Sequence, residues 1–217
     1  MSIFNLSLKV ISISLNSLKL MLLEWCLYMD YGIPEMRVYF SQFAHGIILD
    51  AGCSMGGYAK ILKKRGVVIG IDIDRPALKK APYDHKILAS VTNLPFKTEI
   101  IDFVWATAVI EHLVADCILE IIRVGKEIFF LTPNKNAPID VLRRLLGRKG
   151  TWESPDHVRL YTIGELKKFG KIYGEGLGLP KRSFWGKFPF VNRFCLYMPR
   201  LSYIIFLYVE KKQFKRK

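Results

Sequence analysis

The sequence predicts an α/β protein built on a doubly wound, mostly parallel sheet. Short apolar runs that each lead into an acid, such as residues 46–51 and 67–71, alternate with segments of helical spacing. This alternation is typical of parallel strands that are joined by crossover helices. Ligands of such sheets bind at the carboxyl ends of the strands. The candidate functional residues are therefore expected in the loops that follow the strands.

Each predicted element depends on a local pattern. Strands are predicted at residues 46–51, 67–71, 86–89, 100–105, 127–131 and 201–210 because these runs are apolar or rich in β-formers. Helices are predicted at residues 58–65, 75–81, 110–124, 138–146 and 162–169 because their apolar residues recur at steps of three and four. Gly66 ends the first of these helices, and Pro138 suits a first helical turn. Thr162 and Glu165 have the spacing of a capping box.

Composition suits one globular domain and excludes disorder of the whole chain. The 217 residues are 51% hydrophobic and 24% charged, with a net charge of +14. Residues 181–217 carry ten basic side chains and one acidic one, with aromatic residues between them. This segment suits nucleic acid or an anionic membrane, and a solvated basic face is the plainer alternative. The four cysteines form no C-x-x-C pair, so no metal site is predicted and reduced thiols in a cytoplasmic protein are expected.

The first 36 residues are expected to form a helical lid or extension of the domain at 37–217. Leu15, Leu18, Leu22 and Trp25 recur at helical spacing. Charged residues interrupt the apolar run before it reaches the ~20 residues that a membrane-spanning helix needs. We therefore expect this helix to pack on the domain, to touch a membrane or to bind a partner.

The loop at residues 49–57 has the parts of a nucleotide-cofactor site. Its small residues allow a sharp turn after the strand and a close approach of a ligand to the backbone. Asp72 ends the next strand and is placed to accept hydrogen bonds from two ribose hydroxyls. The loop lacks the G-x-G-x-x-G spacing of dinucleotide sites, and Asp50 suits an ammonium group better than a pyrophosphate. S-adenosylmethionine carries an ammonium group and no phosphate, so the loop predicts this cofactor.

These residues resemble the class I S-adenosylmethionine-dependent methyltransferases, in the branch that acts on small molecules and lipids. The matching blocks are LDAGCSMGG (49–57), IGIDID (69–74), LPFKTEIIDFVWATAVIEHL (94–113), FFLTPN (129–134) and HVRLYTIGEL (157–166). The resemblance implies a Rossmann-like, seven-stranded sheet whose C-terminal strand is antiparallel.

The resemblance also implies which residues bind the cofactor. Its amino-acid and ribose part would be held by Asp50, Gly52, Ser54 and Gly56. The ribose and adenine edge would be held by Asp72 and Ile73, with Val91 near the adenine. Ala106, after the fourth strand, would present its backbone to the methionine end. The family often has glycine at the position of Ser54 and an acid at the position of Ser90.

Two histidines are the candidate catalytic residues. His157 lies in a segment that the family uses near the substrate pocket, where it can act as a base or orient the substrate. His112 follows Glu111 at the start of a predicted helix, and structural roles for both residues remain open. His45 and His85 carry no functional signal.

The resulting hypothesis is methyl transfer by in-line displacement to a small-molecule, lipid-like or glycan acceptor. Residues 133–161 and the N-terminal helix are expected to select the acceptor. One alternative is an RNA-modifying or nucleic-acid-binding protein that uses the basic C-terminal segment. Another is a cofactor-binding protein without catalysis. Contact with an anionic membrane is a further expectation.

Overall fold

A computed structural model describes residues 35–113, 117–150, 155–176 and 195–211. The chain divides into one unit at residues 1–43 and a second at residues 44–217. The described part of the first unit is helix α1 (Glu35–Ser41) and the residues that follow it. No helix among the described residues is both long enough and apolar enough to cross a bilayer. The predicted N-terminal helix that contains Leu15 and Trp25 and most of the basic segment at 181–217 lie outside the described residues.

The described part of the second unit forms one sheet of seven strands. They are β1 (Gly46–Ala51), β2 (Gly66–Asp72), β3 (His85–Leu88), β4 (Ile101–Thr107), β5 (Gly125–Pro133), β6 (Lys171–Glu175) and β7 (Ile204–Glu210). Their spatial order is β3-β2-β1-β4-β5-β7-β6. Strands β1 to β5 are parallel, and β7 is antiparallel to both of its neighbours. The predicted fold class is confirmed.

The strand order places a topological switch point between β1 and β4. From β1 the chain proceeds to β2 and β3 on one side, and then crosses to β4 on the other side of β1. The loops after β1 and β4 therefore diverge and leave a crevice at the carboxyl edge of the sheet. Open α/β sheets bind ligands at this position.

Both faces of the sheet are apolar and buried. One face packs Val104, Phe130 and Leu207 against helical residues such as Ile121 and Leu166. On the other face Trp105 stacks on Phe129 with ring centroids 4.4 Å apart. These central strands are buried on both sides, which explains why they read as nearly continuous apolar runs.

Five short helices of the second unit connect the strands. They are α2 (Ala59–Leu62), α3 (Arg75–Lys80), α4 (Ile118–Val124), α5 (Pro138–Leu145) and α6 (Ile163–Leu166) within the described residues. The capping box of α6 is confirmed, since Thr162 Oγ1 accepts from the Glu165 amide while the Glu165 carboxylate accepts from the Thr162 amide. The prediction of one helix over 110–124 was wrong. A 3₁₀ turn at Ile110–His112 ends because Leu113 adopts an extended backbone, and α4 begins at Ile118, beyond residues 114–116, which lie outside the described residues.

Candidate cofactor and acceptor site

The loop after β1 turns sharply and is fastened to the end of β2. The amides of Gly52 and Cys53 both donate to the carbonyl oxygen of Ile71, at 2.8 and 2.9 Å. Gly52 has φ +72°, and a Cβ atom at this position would lie 2.5 Å from Cγ2 of Val109. Glycine is therefore required here for both conformation and space.

Asp72 connects the loop after β1 to the loop after β2. Its Oδ2 accepts from the Ser54 amide at 2.7 Å, and its Oδ1 accepts from the Asp74 amide at 2.8 Å. A carboxylate oxygen can accept more than one hydrogen bond, so both oxygens keep capacity for a ligand diol. The predicted ribose partner is thus held rigidly by the loop that it would serve.

Ser54 adopts a backbone conformation that favours glycine. Its φ is +46°, which is uncommon for a residue with a Cβ atom. Gly56, two residues later, has φ +77°. The family's frequent glycine at the position of Ser54 therefore has a conformational reason.

Asp50 lies under this loop and is 1% exposed. Its carboxyl group accepts a hydrogen bond from the hydroxyl of Tyr83. Burial is the main cause that raises the pKa of Asp50 to about 7; the bond from Tyr83 opposes this rise, and the charge of Asp72 adds to it. Burial and the neighbouring Asp50 also raise the pKa of Tyr83. The predicted contact between Asp50 and a ligand ammonium stays a prediction.

The predicted adenine side contains one exposed and one buried apolar residue. Ile73 follows Asp72 directly and is 69% exposed, so it offers an apolar surface beside the ribose position. Val91 is buried in the core. Ser90, where the family commonly has an acid, shares a 2.7 Å hydrogen bond with the hydroxyl of Thr92 and accepts one from the Thr92 amide.

Ala106 does not follow the fourth strand as the sequence had suggested. It lies inside β4 and is buried, because the strand continues to Thr107. The first residue beyond the strand is Ala108, with φ +54° and an amide that donates to the carbonyl of Leu131. The backbone that turns away at the carboxyl end of β4 therefore belongs to Ala108.

The two candidate catalytic histidines meet on the β4–β5 side of the same edge. The rings of His112 and His157 contact edge to face, with centroids 4.9 Å apart. Nδ1 of His112 lies 2.7 Å from the carbonyl oxygen of Asp156. The amide of Arg159 donates to the carbonyl of Glu111 at 3.0 Å. These backbone contacts join two segments that lie more than 40 residues apart in the sequence.

Glu111 completes this polar cluster. It is 1% exposed, and its Oε2 accepts from Thr132 Oγ1 at 3.2 Å. Burial raises the pKa of Glu111, and hydrogen bonds and the two nearby imidazoles oppose that rise. Glu111 was not among the site residues predicted from the sequence. The E-H pair in the block at 94–113 was the sequence feature that could have pointed to Glu111. The third residue of the cluster, His157, is remote from this pair in the sequence.

The residues at the switch point fit S-adenosylmethionine by the chemistry of their donors and acceptors. Asp72 would present a carboxylate to the ribose, Ile73 would present an apolar surface to the adenine ring, and the loop at 52–56 would present backbone to the methionine part. S-adenosylmethionine has no pyrophosphate, so these residues need not include a pyrophosphate-binding group.

Comparisons with known proteins agree with this fit. Residues 49–128 match the family model described as "Methyltransferase domain". No match was found among curated proteins. Among solved structures, YcgJ from Bacillus subtilis has a TM-score of 0.50 at 18% identity, covering 61% of this chain and 63% of its own.

Two further similar structures are of methyltransferases with different described substrates. The magnesium protoporphyrin IX methyltransferase ChlM from Synechocystis, with bound SAH, has a TM-score of 0.52 at 14% identity, covering 79% of this chain and 76% of its own. A small RNA methyltransferase has a TM-score of 0.53 at 15% identity, covering 82% of this chain and 26% of its own. This chain thus spans less than two thirds of YcgJ and about a quarter of the RNA enzyme. Residues 49–128, which include the cofactor loop, thus match a methyltransferase domain, and the strand order agrees with the fold of these solved structures.

Proposed function

We propose that this protein is an S-adenosylmethionine-dependent methyltransferase that acts on an apolar small-molecule, lipid-like or glycan acceptor bound beside His112 and His157. One observation carries the proposal: the loop held by Asp72 and the histidine pair lie at the same edge of one sheet. A donor in the loop and an acceptor beside the histidines would therefore face each other across the ends of β1 and β4.

The chemistry requires mainly alignment. Bound S-adenosylmethionine supplies an electrophilic methyl group on a sulfonium, whose sulfur leaves uncharged. The rigid loop around Gly52 and Ser54 holds the donor side, and the histidine cluster holds the acceptor side. Positioning of this kind can supply ~7–11 kcal/mol in favourable cases. Where the acceptor is a hydroxyl, a neutral imidazole of His157 or His112 can accept its proton.

Helix α5 favours an acceptor at an anionic membrane. It follows the carboxyl end of β5 and exposes Leu142, Leu145 and, just beyond its end, Leu146. Arg143, Arg148 and Lys149 lie on the surface beside these leucines. Basic and apolar groups in one exposed segment suit the headgroup region of anionic lipids. We propose peripheral contact of this segment with a cytoplasmic membrane surface.

Calorimetric titration tests the donor site. The wild-type protein should bind S-adenosylmethionine and not NAD. Asp72→Asn should weaken donor binding about 10- to 100-fold, because hydrogen bonds to a charged acceptor contribute about 1.5–3 kcal/mol. Asp84→Asn is the matched control, since Asp84 is an exposed acid paired with Lys63 at 3.2 Å.

The results separate the alternatives. Equal donor affinity in a folded Asp72→Asn protein would contradict the role of Asp72. Binding of NAD in place of S-adenosylmethionine would contradict the donor. Donor binding without turnover on lipids, glycans or RNA would favour a cofactor-binding protein without catalysis.

RNA is the second candidate acceptor, because the net charge is +14 and one structural neighbour is described as a small RNA methyltransferase. RNA binding should weaken steeply with salt, since released counterions drive it. RNA affinity with a steep salt slope, together with methyl transfer to RNA, would favour this candidate over the lipid-like one.

A further inference from the structure

The acceptor side of the sheet edge holds three potential metal ligands side by side. One ligand atom from each of Glu111, His112 and His157 lies within 4.8 Å of the other two. The geometry points to a binding site for one divalent transition-metal ion at this cluster. Neither the cysteine pattern nor the spacing of the histidines had indicated such a site.

The contacts of His112 prepare one ring nitrogen for an ion. A carbonyl oxygen only accepts hydrogen bonds, so the contact with Asp156 at 2.7 Å requires a hydrogen on Nδ1. In the neutral ring, Nε2 then carries the lone pair. A bond from the second ring nitrogen to a backbone carbonyl is the usual support of a metal-binding histidine.

The other contacts hold the ligand set together. Thr132 at the end of β5 donates to Oε2 of Glu111, and the Arg159 amide binds the carbonyl of the same residue. Glu111 is buried, His157 is half-buried and His112 is exposed. The cluster therefore has a closed floor and an open side, where water or a substrate oxygen can complete the coordination.

The donor set selects the kind of ion. Two imidazoles and one carboxylate suit Zn²⁺, Mn²⁺, Fe²⁺ or Co²⁺, whereas Mg²⁺ and Ca²⁺ prefer oxygen ligands. Three ligands of one ion, with bonds of about 2.0–2.2 Å, lie about 3–3.8 Å from one another. Binding thus requires the side chains to move inward by about 1 Å from their separation of up to 4.8 Å.

The role of the ion depends on the proposed function, although its binding does not. Beside the cofactor loop, the ion would hold an acceptor oxygen and lower the pKa of an acceptor hydroxyl. The imidazoles would then bind the ion, and the ion, in place of a free imidazole, would activate the acceptor hydroxyl.

Metal titration of full-length protein without a histidine tag tests the inference. After chelation and dialysis, the wild-type protein should bind one Co²⁺ per chain with a visible absorption band, and Zn²⁺ should displace it. His157→Ala and Glu111→Gln should each weaken binding by about 10-fold or more. His85→Ala is the matched control, because His85 is an exposed histidine on the other side of the sheet, and it should bind as the wild type does.

X-ray absorption of the Co²⁺-loaded wild-type protein identifies the metal ligands directly, so the result does not depend on whether a variant folds. Two imidazole ligands are expected, and a spectrum without imidazole ligands would overturn the inference. The inference also fails if no ion binds, or if His157→Ala and His85→Ala bind Co²⁺ equally. Donor titration of the same samples keeps the two proposals apart, since loss of metal binding with intact donor binding would refute only the metal site.

Discussion

The carboxyl group of Asp50 lies where water is excluded, and stability should therefore depend on its proton. Its pKa rises from 3.8 to about 7, chiefly through burial. The folded chain holds the proton more tightly than the unfolded chain does. The stability that this group contributes is complete below its unfolded pKa and is lost as the pH rises through about 7. Asp50→Asn cannot titrate, so it should be more stable than the wild type near pH 8, by up to about 4 kcal/mol.

Urea unfolding near pH 5 and near pH 8 measures this effect. The advantage of Asp50→Asn over the wild type should grow from the lower to the higher pH. The exposed Asp84→Asn should follow the wild-type profile at both pH values. An advantage of the same size at both pH values would show that Asp50 does not titrate in this range.

Ser54 tests whether the loop stores backbone strain. At φ +46°, Ser54→Gly relieves a left-handed cost of about 1–2 kcal/mol but gains unfolded-state freedom worth about 0.5–1 kcal/mol. Its unfolding free energy should equal or slightly exceed that of the wild type. Ser54→Val should lose about 1 kcal/mol or more, since β-branched residues rarely adopt positive φ. Met55→Val, at an exposed neighbour, should change little in the same urea titration; an equal loss there would remove strain as the cause.

Helix α4 fastens the loop at residues 94–96 through two of its side chains. Arg123 donates to the carbonyl oxygens of Phe96 and Leu94 at 2.8 and 3.2 Å. Glu120 accepts from the Leu94 amide at 2.8 Å and pairs with Arg123. The bond from Arg123 holds the pKa of Glu120 below its usual range. The helix and the loop therefore stabilise each other.

We expect Arg123→Ala to reduce the free energy of unfolding more than Lys126→Ala does, because its partners lose charge-assisted hydrogen bonds. Donor affinity should also fall, since this loop follows the predicted adenine side. Amide hydrogen exchange of residues 94–96 locates the effect. Lys126→Ala, which breaks the exposed pair with Asp102, should cost at most about 1 kcal/mol and leave donor affinity unchanged. If both variants behave alike, the fastening role is refuted.

At the scale of elements, local patterns predicted most of the fold. The bounds of β1 at 46–51 and the capping box of α6 agree with the sequence. Apolar periodicity could not reveal that Leu113 would be extended, because helical spacing constrains side chains and not each φ. Strand β6 (Lys171–Glu175) was not predicted from its residues, since this short polar edge strand becomes a strand by pairing with β7.

The candidate site was only partly predictable for a related reason. Loop residues such as Ser54 and Asp72 follow two neighbouring strands, and the spacing of these strands in the sequence already predicts that the residues lie close together. His112 and His157 are joined only when the segment after α5 returns to β5, through contacts such as Lys135 with Tyr161. Long-range return of the chain leaves no periodic signal in a single sequence.

On the scale of the whole molecule, the switch-point topology concentrates chemistry at one edge of the sheet. The loop after β1, the histidine cluster after β4 and helix α5 after β5 all follow carboxyl ends of parallel strands. A membrane that contacts α5 would therefore lie on the side of the molecule from which an acceptor enters.

Vesicle binding tests this orientation. The wild-type protein should bind vesicles that contain phosphatidylglycerol and not vesicles of phosphatidylcholine alone, and added salt should weaken binding because it screens the charges. Leu145 and Leu146 are 79% and 66% exposed. Replacing both with serine should weaken binding about 10-fold or more, since each buried leucine contributes about 1.5–3 kcal/mol.

Leu119→Ser is the matched control, because Leu119 is an exposed leucine on α4 with 62% exposure. It should bind anionic vesicles as the wild type does. Equal binding by the double variant would mean that another segment makes the contact, and equal loss in Leu119→Ser would mean that exposed leucines act without a preferred face. Loss confined to the double variant would fix α5 as the contact and orient the carboxyl edge of the sheet toward the lipid.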